Sequence, residues 1–337
     1  MTSGPTGVNR LDVTAPDGLP EITASSDLAS LIAACTALVD GDIVVVTSKV
    51  ISKAEGRVRT GNREGALAEE TQRVVARRGP TTIVRNRLGL TMAAAGIDAS
   101  NVEAGSIVLL PLDPDASARA LRSRLHELTG AEIGIVITDT AGRAWRDGQT
   151  DIAVGAAGVR VSEDYAGLVD THGNDLVVTM PAVADEIAGA ADLVRGKLSG
   201  RPVAVVRGRA DLVLPIGDDG PGASSLIRPE AADLFGYGAR EAVIRALAGR
   251  EEDRSPFGAP SSLDELSAAL SRVLGGQTAY SSHLSLMSHD GSDPTITLPA
   301  GTDERVTAAI CFAHGWRVLA WAPEQSGVVA RVQPTTP

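Results

Sequence analysis

The chain opens as an alternation of unbroken apolar runs with amphipathic stretches. Ile43-Val44-Val45-Val46 and the run from Ile133 to Ile137 have no polar residue at every second position, which predicts strands covered on both faces. Before the first run, Asp27 offers an N-cap to an Ala- and Leu-rich helix reaching about Val39. Between the two runs, Glu69–Arg78 reads as an amphipathic helix ending in basic residues, and Thr81–Arg85 and Ile107–Leu110 read as short strands. Asp115 is placed to cap a helix over Ser117–Leu128. Beyond Val159, Tyr165–Gly167 and His172–Asp175 are loops, and a loop histidine such as His172 is incidental by default. Val183–Lys197 has an acidic start and a basic end, as a helix favours, and Pro202–Arg207 is a strand. This strand–helix alternation suggests a doubly wound sheet.

After Arg207 the pattern weakens. Gly217–Ser225 is polar and Gly-rich, either a mobile loop or a phosphate or metal segment through Asp218 and Asp219. Arg250–Ser262 is charged, then rich in Pro and Ser, and marks a domain boundary near residue 250. The remainder predicts one helix, Leu263–Leu274, and two strands, Thr295–Pro299 and Val318–Ala322.

Composition narrows the function. With 43% hydrophobic and only 3% aromatic residues in 337, the core is built from Val, Ile, Leu and Ala. A net charge of −11 disfavours nucleic acid and anionic membranes as partners, so an anionic ligand must meet local cations or a metal. Cys35 and Cys311 form no metal-type cluster, and no signal peptide or membrane-length apolar run stands in the sequence, so the expected compartment is the cytoplasm.

The chemistry gathers where the second apolar run breaks, at Thr138-Asp139-Thr140. A carboxylate between two hydroxyls at a strand end suits a hard cation such as Mg²⁺ or Mn²⁺, and a strand followed by a polar turn explains the same residues equally well. Arg143, Trp145, Arg146, Gln149 and Asp151 follow, then Gly155-Ala156-Ala157-Gly158, where backbone can approach closely. The first run ends in Thr47-Ser48-Lys49 and reaches Lys53, hydroxyls and lysines suited to phosphate oxygens, although an ordinary surface turn with lysines covering apolar neighbours is the simpler reading. Asp98 and Asn101 stand three apart in a turn, a spacing that an Asx turn explains cheaply and a metal carboxylate beside a nucleotide-reading amide explains at greater cost. The P-loop, dinucleotide-binding, zinc-protease, serine-hydrolase and Cys-x-x-Cys motifs are all absent from the sequence. Carboxylates, hydroxyls, lysines and arginines at strand ends suit metal-assisted phosphoryl transfer better than a Ser or Cys nucleophile.

Four segments together resemble the coenzyme F420:L-glutamate ligase family, most nearly the ligase half of the actinobacterial bifunctional form. They are Gly18–Glu21 (GLPE), Gly41–Gly56 (GDIVVVTSKVISKAEG), Asn86–Asn101 (NRLGLTMAAAGIDASN) and Thr138–Gly158 (TDTAGRAWRDGQTDIAVGAAG). The resemblance implies an α+β, two-lobed mixed α/β ligase domain over residues 1–250, typically a homodimer, in place of the doubly wound sheet. Residues 251–337 would be a small C-terminal α/β extension, too short for the nitroreductase-like domain of the bifunctional relatives, so no flavin is expected.

The implied reaction is GTP-dependent addition of L-glutamate to coenzyme F420-0, or its dehydro form, through an acyl phosphate. Carried over by position, Asp98, Asp139 and Thr140 would hold the divalent ions, two Mg²⁺ or Mn²⁺, with K⁺ a further candidate. Leu19, Pro20, Glu21, Ile22, Ser48, Lys53 and Asn101 would contact GTP. Asp139, Lys53 and Arg143 would carry catalysis, with Arg143 and Arg146 assigned by inference to substrate phosphate or carboxylate. Asp151 receives no role. The alternative is a non-catalytic nucleotide- or deazaflavin-binding homologue.

Overall fold

The computed structural model describes residues 10–274, 286–287 and 293–335. The chain is mixed α/β and forms two compact units, Met1–Ile227 and Arg228–Pro337.

The first unit runs β1 (Asp12–Thr14), α1 (Leu28–Cys35), β2 (Ile43–Thr47), α2 (Ser48–Ala54), β3 (Val58–Thr60), α3 (Arg63–Glu70), β4 (Thr71–Arg78), β5 (Thr81–Asn86), β6 (Thr91–Ala93), β7 (Ser106–Val108), α4 (Pro114–Thr129), β8 (Gly134–Arg143), β9 (Arg146–Ala157), α5 (Val183–Arg195) and β10 (Val203–Arg207). Five strands form the main sheet in the order β1-β10-β2-β8-β9. Only β2 and β8 run parallel, from Ile43 opposite Gly134 to Thr47 opposite Thr138, so both apolar runs end at the same edge.

Alternation along these strands explains why the runs are apolar throughout. Val44, Val46, Ile135 and Ile137 pack with Ile32, Leu121 and Leu125 from α1 and α4. Ile43, Val45 and Val136 face the other way, onto Val183, Ile187 and Ala191 of α5. Helices thus cover both faces of the two central strands. Gly155 allows α4 to seat closely, because a Cβ there would stand 2.5 Å from the Pro114 carbonyl oxygen.

Several sequence expectations need correction. The sheet is not a doubly wound parallel one, since β10, β1 and β9 all run antiparallel to their neighbours. Residues 71–78, expected in a helix, form strand β4, antiparallel to β5 with bulges. Thr71, Val74 and Val75 are stiff β-branched residues, and pairing with β5 outweighs the amphipathic period. The helix instead precedes them, as α3. Asp113 rather than Asp115 caps α4, accepting from the Ala116 amide. Asp115 is buried and accepts from the amides of Ala156, Ala223 and Ser224, clipping α4 to β9 and a later loop. The apolar run ending at Ile137 does not break at Thr138, because β8 continues to Arg143 and turns through Ala144-Trp145 into β9.

The second unit contains α6 (Ala239–Ala248), α7 (Leu263–Leu274), β11 (Leu286–Met287), β12 (Thr295–Pro299), α8 (Glu304–Ala313), β13 (Trp316–Glu324) and β14 (Gly327–Pro334). Its strands form an antiparallel sheet in the order β11-β12-β14-β13. Leu266, Leu270, Ile296, Leu298, Cys311, Ala330 and Val332 make its core. The Pro- and Ser-rich stretch after Arg250 lies within this unit rather than at its start, since α6 precedes it.

Candidate active site at the ends of two parallel strands

Four stretches meet where β2 and β8 end. Thr47 passes directly into α2, so the expected turn is a helix that carries Ser48, Lys49 and Lys53. Ser48 donates its hydroxyl to Asp139 Oδ1 at 3.1 Å, linking the two strand ends. Lys49 Nζ reaches Asp98 Oδ2 at 2.6 Å and Ser100 Oγ at 2.7 Å. Lys53 is buried; its ammonium pairs with Glu21 and donates to the Asn101 carbonyl at 2.7 Å. Asn101 adopts φ +56°, a left-handed conformation that Asn tolerates better than most residues. Leu19 packs on the core and Ile22 is buried, while Pro20 and Glu21 between them stay exposed. Glu21, Ser48, Lys53, Asn101, Asp98 and Asp139 therefore come together from segments far apart in sequence.

Side-chain alternation divides the Thr138–Thr140 triplet between the faces of β8. Asp139 lies on the α2 side with Ser48, whereas Thr138 and Thr140 face Asp151 on β9. The cluster expected to hold metal is thus two groups of donors rather than one: Asp98 with Asp139, and Thr140 with Asp151. Arg143 is farther off, four residues on and about 13 Å along the strand, exposed near the hairpin turn with Arg146.

Burial dominates the electrostatics at Asp139. Burial is the main reason its carboxyl is raised to about 7; the Ser48 hydrogen bond opposes this, and the charges of Asp151 and Asp98 add to it. Asp98 differs. Burial pushes it up, but Lys49 and the Ser100 amide and hydroxyl hold it below the usual carboxylate range.

The donor chemistry suits hard cations. Among the described residues no group of three or more His, Cys, Asp or Glu side chains is arranged to hold a metal. Asp98 and Asp139 on one side of β8, and the Thr140 hydroxyl on the other, instead suit ions that take most of their ligands from substrate phosphates and water, as Mg²⁺ commonly does. Two ammonium groups already stand on these oxygens, Lys49 on Asp98 and Lys197 on Thr140 at 3.0 Å.

Sequence reading missed Asp151, Arg195 and Lys197. Arg195, at the end of α5, donates to Asp151 Oδ2 at 2.6 Å and to Thr138 Oγ1 at 3.1 Å. Burial lowers the pKa of its guanidinium despite the partner charge. The hairpin register that sets Asp151 opposite Thr140 could have signalled the first of these; nothing local signals the other two. Asp218 and Asp219 sit at the other end of β8. Arg122 holds the Asp218 carbonyl at 2.7 Å and the Asp219 carboxylate at 3.0 Å while donating to the Ile133 carbonyl, and Gly158 N donates to the Asp219 carbonyl.

Comparison with known proteins places a family match over this part of the chain. The family described as F420-0:Gamma-glutamyl ligase matches residues 18–208, a span that holds every group described at the strand ends. The coenzyme F420:L-glutamate ligase of Archaeoglobus fulgidus is 43% identical over 220 residues, covering 59% of this chain and 88% of that protein. Its namesake from Methanopyrus kandleri is 38% identical over 237 residues, covering 64% and 93%. That from Methanothermobacter thermautotrophicus is 38% identical over 250 residues, covering 65% and 96%. The chain belongs to the F420-0:gamma-glutamyl ligase family.

Proposed function

We propose that this protein joins L-glutamate to coenzyme F420-0, or its dehydro form, at the expense of GTP. The observation that carries the reading is the meeting of Glu21, Ser48, Lys53, Asp98, Asn101 and Asp139 at the ends of two parallel strands. In α/β sheets, ligands tend to bind beyond the carboxyl ends of such strands. Lys53 is the cation for GTP phosphates, and Ser48 and the Leu19–Ile22 segment lie beside it. Asp98, Asp139 and Thr140 hold Mg²⁺ or Mn²⁺, which would neutralise clustered phosphate charge. Arg143 and Arg146 take anionic groups of the acceptor.

A carboxylate is a poor electrophile and first needs a leaving group. Its oxygen attacks the γ-phosphorus of GTP, the bond to the bridging oxygen breaks, and GDP departs. The α-amine of glutamate, having lost its ammonium proton, attacks the acyl carbon; the C–O bond to phosphate breaks, the nitrogen's second proton passes to the departing phosphate, and an amide forms. Pre-positioning and electrostatic stabilisation supply the rate. We read residues 1–250 as the two-lobed ligase domain, working as a cytoplasmic homodimer, with residues 251–337 as an extension. Equimolar GDP and glutamylated product, both dependent on the acceptor, are the expected result of incubating the components together. GTP binding with no GDP release in the presence of both co-substrates would instead favour a binding homologue.

A further inference from the structure

Asp151 is the buried carboxylate of this region that the family resemblance leaves without a role. Its Oδ2 accepts from Arg195 Nη2 at 2.6 Å and from Thr138 Oγ1 at 2.9 Å; its Oδ1 accepts from Thr140 Oγ1 at 2.8 Å. An ionised carboxylate can only accept, so both threonine hydroxyl protons are committed to Asp151. The Thr140 oxygen is left with lone pairs alone, and one of them receives Lys197 Nζ. Arg195 is buried with Nε and Nη1 lacking hydrogen-bond partners among the described residues. A buried pair so incompletely satisfied is a weak device for stability. It does fix, without freedom to rotate, the polarity of the Thr140 hydroxyl.

We propose that Asp151, anchored by Arg195, is a positioning residue of the site: it makes Thr140 an obligate acceptor, and the Lys197 ammonium occupies that acceptor until a divalent cation replaces it. This rests on the cation reading of Thr140 given under Proposed function. Outer partners of metal ligands typically contribute 10–100-fold to affinity, which sets the scale expected here.

The test is a double-mutant cycle read by Mn²⁺ affinity of the full chain, with the free aquo ion quantified by electron paramagnetic resonance. Asp151→Asn keeps the shape but can turn an amide donor toward Thr140, reversing the hydroxyl. Thr140→Val removes the hydroxyl. Each is expected to weaken Mn²⁺ binding about tenfold or more, and the double variant to bind no more weakly than Thr140→Val alone. Full additivity, or wild-type affinity in Asp151→Asn, overturns the proposal. Wild-type protein that binds no Mn²⁺ overturns the cation reading itself. If Asp151→Asn does not fold, Asp151→Asn with Arg195→Met removes both charges of the buried pair and is expected to fold with the same Mn²⁺ loss; wild-type affinity in that variant overturns the proposal as well.

Discussion

Asp139 is where residue-level chemistry makes the sharpest demand. Its folded carboxyl titrates at about 7, against 3.8 for an unperturbed aspartate, so the folded state holds the proton more tightly. Between those two values the unfolded chain binds fewer protons, and stability falls as pH rises, the loss being complete above the folded value. In metal-free protein, Asp139→Asn should therefore melt higher than wild type at pH 8, with the difference vanishing toward pH 4. A variant that melts lower at pH 8 would contradict the assigned environment. Lys53 gives a second test: Lys53→Met strands the Asn101 carbonyl, and calorimetric GTP affinity is expected to fall more than tenfold. At this scale the site was partly legible. Ser48, Lys53 and Asp139 announce themselves as polar residues where apolar runs stop. Asp151 does not, because its importance comes from cross-strand register. Arg195 and Lys197 come from the end of a helix whose basic residues read simply as dipole partners.

Among the elements, the two central strands were legible for a physical reason. Burial on both faces demands uninterrupted aliphatic sequence, and Ile43–Val46 and Ile133–Ile137 meet that demand. Residues 71–78 misled because they satisfy a helical period locally, while pairing with β5 is a partner effect that no local window contains. Close packing of α4 on β9 gives the test at this scale. Gly155→Ala places a Cβ against Pro114 backbone and should lower stability by about 1–3 kcal/mol, seen as a reduced urea midpoint. Gly142→Ala, with nothing within 4 Å of its Cβ, should change stability by no more than about 0.5 kcal/mol. Equal effects of the two substitutions would deny that the helix seats on this glycine.

For the whole molecule, the matched span of residues 18–208 lies inside the first unit, and so do all the groups assigned to the reaction. Truncation after Ile227 is expected to leave a cooperatively melting protein that still glutamylates the acceptor. Loss of activity in that folded fragment would assign the second unit a part in the reaction. The division after Ile227 was not legible in composition, because the Pro- and Ser-rich stretch that catches the eye lies beyond α6. No helix among the described residues is long and apolar enough to cross a membrane. GTP-dependent glutamate ligation is tested most directly by mass spectrometry of the acceptor after incubation of the full chain with F420-0, L-glutamate, GTP and Mn²⁺. The expected product is heavier by one glutamyl residue for each GDP released. No added mass, or the same addition without GTP, would contradict that assignment.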